Sequence, residues 1–119
     1  MKDELENKLR QEFSDAFEGE IPRMECGDGW YKILHDLMTK IRTTGEKIGI
    51  AQIKEKFGGL RFYIESTPIG SIHFEAIRTF ISEAEKESMR TCEVCGKPGE
   101  IRDQGRWIRT LCDEHTEKK

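Results

Sequence analysis

Two pairs of metal-ligand residues, Cys92 with Cys95 and Cys112 with His115, constrain this chain more than any other feature. Thiols three positions apart grip one ion only if the backbone turns sharply between them, and Cys92-Glu93-Val94-Cys95-Gly96 suits such a knuckle. Sixteen residues separate Cys95 from Cys112. They hold Gly99, a strand through Ile101, a turn at Asp103-Gln104-Gly105 and a strand through Trp107, Ile108 and Leu111. That length fits a hairpin that returns the chain to the ion. Three thiolates and one imidazole then fill a tetrahedral shell, the usual form of a structural zinc site. With all four positions taken, no bound water remains to be activated. The expected cofactor is therefore one structural Zn²⁺, which suits this shell better than iron does. Zinc-ribbon and treble-clef geometry both remain open for the hairpin.

A staple of this kind answers a thin core. The chain has 119 residues, of which 36% are charged and 35% hydrophobic, too few apolar side chains for two separate cores. No apolar run approaches the roughly 20 residues that span a bilayer. Met1 to Arg10 is charged and lacks the apolar stretch of a signal peptide. A cytoplasmic location is expected, where thiols stay reduced and paired cysteines serve as metal ligands. The net charge of −3 is unevenly spread. Residues 1–20 carry three bases against seven acids, whereas residues 40–65 carry six bases against three acids. The middle of an acidic chain can thus attract anions.

Hydrophobic spacing organises the rest. Leu5, Leu9, Phe13, Ala16 and Phe17 predict an amphipathic first helix with an acidic outer face, ended by Gly19 and Pro22. Trp30, Ile33, Leu34, Leu37, Met38 and Ile41 predict a second helix, capped by Asp28 and stopping near Thr43–Gly45. Ile48 to Glu65 reads as a hairpin around a Gly58-Gly59 turn. That turn pairs Phe57 with Leu60, Lys56 with Arg61 and Ile53 with Ile64, and a bulge is expected near Ala51–Gln52. One face then holds Ile53, Glu55, Phe57, Leu60, Phe62 and Ile64, and the other Lys54, Lys56, Arg61 and Tyr63. After a loop at Pro68 and Gly70, Ser71 is expected to cap a third helix through Phe74, Ile77, Phe80, Ile81 and Ala84. Its charged end, Glu83 to Arg90, is expected to be solvated. The predicted fold is α+β: a body of helices and a β-hairpin over 1–90, and a zinc-ribbon or treble-clef-like module over 91–119 packed on it as one integrated domain.

Three motifs in order carry a resemblance: Cys26-Gly27-Asp28-Gly29-Trp30, then Lys54-Glu55-Lys56-Phe57-Gly58-Gly59-Leu60-Arg61-Phe62-Tyr63, then the Cys92–His115 unit with Trp107 and Thr110-Leu111-Cys112. Together they resemble a family of small bacterial and phage proteins of unassigned function. The resemblance runs from about Cys26 to His115. It implies a bacterial or phage origin and one integrated domain, and it carries no catalytic residue across.

Little else suggests chemistry. Cys26 reads as a small buried residue before a reactive thiol, Asp28 as a cap, and His35 and His73 as surface histidines. Gly27-Asp28-Gly29 lacks the third glycine of a dinucleotide loop, and the only asparagine, Asn7, lies far from the knuckle. A non-catalytic protein-binding role, regulatory or inhibitory, is expected. The alternative is nucleic-acid binding through Lys54, Lys56, Arg61 and Tyr63, where an aromatic among cations forms a stacking platform.

Overall fold

The computed structural model describes residues 1–65, 70–103, 105 and 107–116. Among these residues, three α-helices and two small sheets give an α+β fold. Helix α1 spans Asp3–Glu12, with three acids in its first turn where the helix dipole favours them. It ends well before Gly19. Arg42 explains the early stop: its guanidinium donates to the Glu12 carbonyl at 3.2 Å and lies 4.6 Å from the centre of the Phe13 ring. An orphan helix-end carbonyl is thus satisfied from another element, and Phe13 and Phe17 enter the core as an edge-on pair. The acidic face is not wholly outer either. Glu6 is buried, accepts the Met24 N–H and pairs with Arg10 at 3.5 Å.

Strand β1, Met24–Glu25, had no signal in the spacing and runs parallel to strand β2, Ile50–Lys56. Between them a 3-10 turn, Asp28–Trp30, leads into helix α2, Tyr31–Thr43. Asp28 does not cap α2. Its carboxylate accepts the Lys2 N–H at 2.8 Å and so fastens the start of α1.

Strand β3, Gly59–Ile64, pairs antiparallel with β2 and completes a sheet of order β1-β2-β3. The register differs from the Gly58-Gly59 reading. Lys56 faces Gly59, Glu55 faces Leu60, Lys54 faces Arg61 and Ile53 faces Phe62. The turn residues are Phe57 and Gly58, both with positive φ, 53° and 84°. Moving a two-residue turn by one position shifts each partner by two residues, so the two faces keep their members. Phe57 alone changes role, from core to a tip that is 65% exposed. The register shifts between Ile50 and Gln52, which puts the bulge at Ala51.

Helix α3, Phe74–Ser88, closes the free edge of β3 with side chains. Ser88 Oγ accepts the Leu60 N–H at 2.8 Å, and Glu85 accepts the Phe62 N–H at 3.2 Å. The helix end expected to be solvated therefore holds the sheet. Ser71 is not its cap: it accepts the His73 N–H and donates to Glu46. Pro68 and Gln104, expected in turns, lie outside the described residues.

One core joins these parts, with Phe13, Trp30, Leu34, Leu37, Met38, Ile41, Ile53, Leu60, Phe62 and Ile77 all buried. Each large side chain so buried contributes about 1.5–3 kcal/mol. No helix among the described residues is long and apolar enough to cross a membrane. A second, smaller cluster, Cys92, Leu111 and Cys112, lies beneath a separate hairpin made of β4, Glu100–Asp103, and β5, Ile108–Leu111.

Candidate metal centre

The second hairpin brings the two ligand pairs together. The knuckle at Cys92 and Cys95 precedes β4, and Cys112 follows β5 directly. A 3-10 turn, Asp113–His115, then swings His115 back toward Cys112. The ligand atoms of Cys92, Cys95, Cys112 and His115 all lie within 4.8 Å of one another, the only such group among the described residues.

The spacing fits one ion. Metal–sulfur bonds of about 2.3 Å in a tetrahedron set sulfurs about 3.8 Å apart and a sulfur and a nitrogen about 3.5 Å apart. Cys95 and Cys112 Sγ are 3.7 Å apart. His115 Nδ1 lies 3.8 Å from Cys92 Sγ and 3.1 Å from Cys112 Sγ. The four residues can therefore hold a metal ion through three sulfurs and the Nδ1 nitrogen.

Electrostatics point the same way. Burial pushes the Cys92 thiol up, but the backbone N–H groups of Cys112, Cys95 and Val94 outweigh it and bring the pKa down to about 6. At Cys95 the Lys97 N–H favours the thiolate, yet burial and the neighbouring thiols of Cys92 and Cys112 win and raise the pKa. Three thiolates at these distances repel one another, and a central dication removes the conflict.

The knuckle is bolted to the body by the glycine motif before α2. The Gly29 N–H donates to the Glu93 carbonyl at 2.7 Å, and the Gly27 N–H to the Glu93 carboxylate at 2.9 Å. Trp30, fully buried, donates its indole N–H to the Thr91 carbonyl at 2.9 Å. Backbone meets backbone here. A Cβ on Gly29 would lie 2.1 Å from the Cys92 carbonyl oxygen, and one on Gly27 would lie 2.2 Å from that of Glu93. Glu93 is buried between the cysteines of the knuckle. Desolvation raises its pKa, opposed by Arg109 at 3.5 Å and by the Gly27 N–H. On the other side, Thr110 donates to the Gly58 carbonyl at 2.6 Å, so the β2–β3 turn also seats on the metal hairpin.

Glu93, Gly27 and Gly29 were not legible as a joint from spacing alone. The signal was present in two glycines flanking Asp28, a pattern that a helix cap does not require. Among the other candidates, Cys26 is buried and its thiol is pushed up to about 12, chiefly by burial, which leaves it protonated and inert. His35 is half-buried, bonded to Glu12 at 2.8 Å and stacked on Tyr31. His73 sits at the start of α3. Lys54, Lys56, Arg61 and Tyr63 share the face of the sheet opposite Ile53 and Phe62.

No protein-family model, curated protein or solved structure matches the chain.

Proposed function

We propose that this is a small, non-catalytic protein-binding protein of bacterial or phage type, regulatory or inhibitory in role, cytoplasmic, and held together by one structural zinc ion. Zinc is the ion favoured by three thiolates and an imidazole in a closed tetrahedral set. Such a shell offers no open coordination position. It contributes folding energy, on the order of 10–16 kcal/mol in small finger peptides.

One observation carries the binding role. The metal hairpin leaves Ile101, Trp107 and Ile108 exposed, Trp107 by 68%. Ile101 and Ile108 are diagonal neighbours across β4 and β5, and Trp107 directly precedes Ile108 in the chain. Tryptophan is among the residues that most often dominate protein interfaces, and a hairpin closed by one ion lowers the ordering cost of presenting it.

The test is affinity capture from bacterial lysate with quantitative mass spectrometry. A partner should be retained by the native protein and by a Lys40→Ala control, and lost with Trp107→Asp and with Ile108→Asp at unchanged zinc content. Equal capture by all four proteins would sink the reading. So would turnover of a phosphoester or peptide substrate that co-purifies with the protein and vanishes with His35→Ala.

A further inference from the structure

The outer face of the β2–β3 hairpin has a separate chemistry. Lys54 stands directly opposite Arg61, Tyr63 opposite Gln52, and Lys56 opposite Gly59. A like-charge pair across a ladder is destabilising unless something negative answers it. Among the described residues no carboxylate oxygen lies within 4.0 Å of Lys54, Lys56 or Arg61, whereas Arg10, Arg42, Arg102 and Arg109 each have one. The parallel ladder puts Glu25 beside Lys54, so acid bounds the strip on the β1 side.

Two of the three aromatics on this hairpin are exposed, Tyr63 by 42% and Phe57 by 65%. Phe57 is the more telling. It holds φ at 53°, the only non-glycine residue with positive φ among the described residues, in a turn where asparagine or glycine fits without strain. Neither packing nor backbone preference accounts for a large ring there. Strain of this kind gathers at sites that use it. Lys56 Nζ lies 5.6 Å from the centre of that ring, which joins the turn to the cationic strip. Along each strand, residues on one face repeat about every 6.7 Å, a step that the phosphates of an extended strand can follow.

We propose that this face binds single-stranded nucleic acid, with phosphates against Lys54, Lys56 and Arg61 and bases stacked on Tyr63 and Phe57. Stacking needs free base faces, which a duplex does not offer. The site does not depend on the apolar metal-hairpin contact, and either can fail without the other.

The experiment is fluorescence anisotropy of labelled dT and rU 12-mers with the zinc-loaded full chain. Three neutralised phosphates give a slope of about −2 in log affinity against log salt, or about twenty-fold weaker binding at 200 mM than at 50 mM. Reversing Lys56 and Arg61 to Glu should weaken binding at least about ten-fold, and Tyr63→Ala or Phe57→Asn about five-fold or more. Glu25→Gln should tighten it. Phe57→Asn suits the turn, and a melting temperature at or above the native one shows that its loss of binding does not come from misfolding. No binding of either 12-mer overturns the proposal. So does equal binding of a duplex, indifference to both aromatic changes, or equal competition by a 12-residue glutamate peptide, which would reassign the face to an acidic protein segment.

Discussion

Gly27 donates its backbone N–H to the Glu93 carboxylate at 2.9 Å, across 66 positions of the chain. Gly29 reaches the carbonyl of the same glutamate. The motif before α2 and the cysteine knuckle are thus two halves of one joint, which couples the candidate metal site to the main core.

Gly29→Ala should break that joint. Its new Cβ would meet the Cys92 carbonyl oxygen at 2.1 Å, and backbone cannot swing aside as a side chain can. A loss of about 3 kcal/mol is expected, read from the midpoint of urea unfolding in zinc-loaded protein. An unchanged midpoint would mean the knuckle seats elsewhere.

Purified, reduced protein should contain one zinc per chain, and Cys112→Ser should lose it by elemental analysis. A strong chelator should do more than unfold the segment after Arg90. Trp30 is buried against Thr91, whereas Trp107 is exposed. In a Trp107→Phe background, chelation should therefore red-shift the fluorescence of Trp30. A constant spectrum with zinc removed would uncouple the metal from the body.

Ser88→Ala should leave the Leu60 N–H buried without a partner, because the serine hydroxyl is its acceptor at 2.8 Å. The expected cost is about 1–3 kcal/mol, measured as a fall in melting temperature. Ser88→Thr, which keeps the hydroxyl, should lose less.

Cys26 sets an alkaline limit. Its thiol pKa is pushed from 9.0 up to about 12 in the folded state, mainly by burial. A raised pKa means that the native state holds the proton more tightly than the unfolded chain does. That stabilisation is complete below about pH 9 and is lost as pH rises towards 12. Urea midpoints measured between pH 8 and 10.5 should fall less steeply for Cys26→Ala than for the native protein. Identical slopes would show that Cys26 does not titrate late.

Phe57→Asn should stabilise the fold by about 1 kcal/mol, because asparagine before glycine suits the turn and a phenylalanine at φ 53° does not. A rise of a few degrees in melting temperature is the expected reading. A fall would mean that the exposed ring packs against something that stabilises it.

The sequence by itself determined what depends on near neighbours in the chain. Ligands three positions apart, with room for a hairpin between the pairs, specify a cluster of Cys92, Cys95, Cys112 and His115 whatever surrounds it. The apolar stripe from Trp30 to Ile41 likewise specifies α2, and strand alternation separates Lys54 and Arg61 from Ile53 and Phe62. Tertiary structure decided where local signals were degenerate. Phe57-Gly58 and Gly58-Gly59 are both possible turns, and the register is held from afar by the Thr110 hydroxyl on the Gly58 carbonyl and the Ser88 hydroxyl on the Leu60 N–H. The end of α1 depends on Arg42 reaching the Glu12 carbonyl, and the role of Asp28 on the Lys2 N–H. In each case a backbone group has two comparable local options. The partner that selects one lies tens of residues away, so only the folded chain brings it within hydrogen-bond reach.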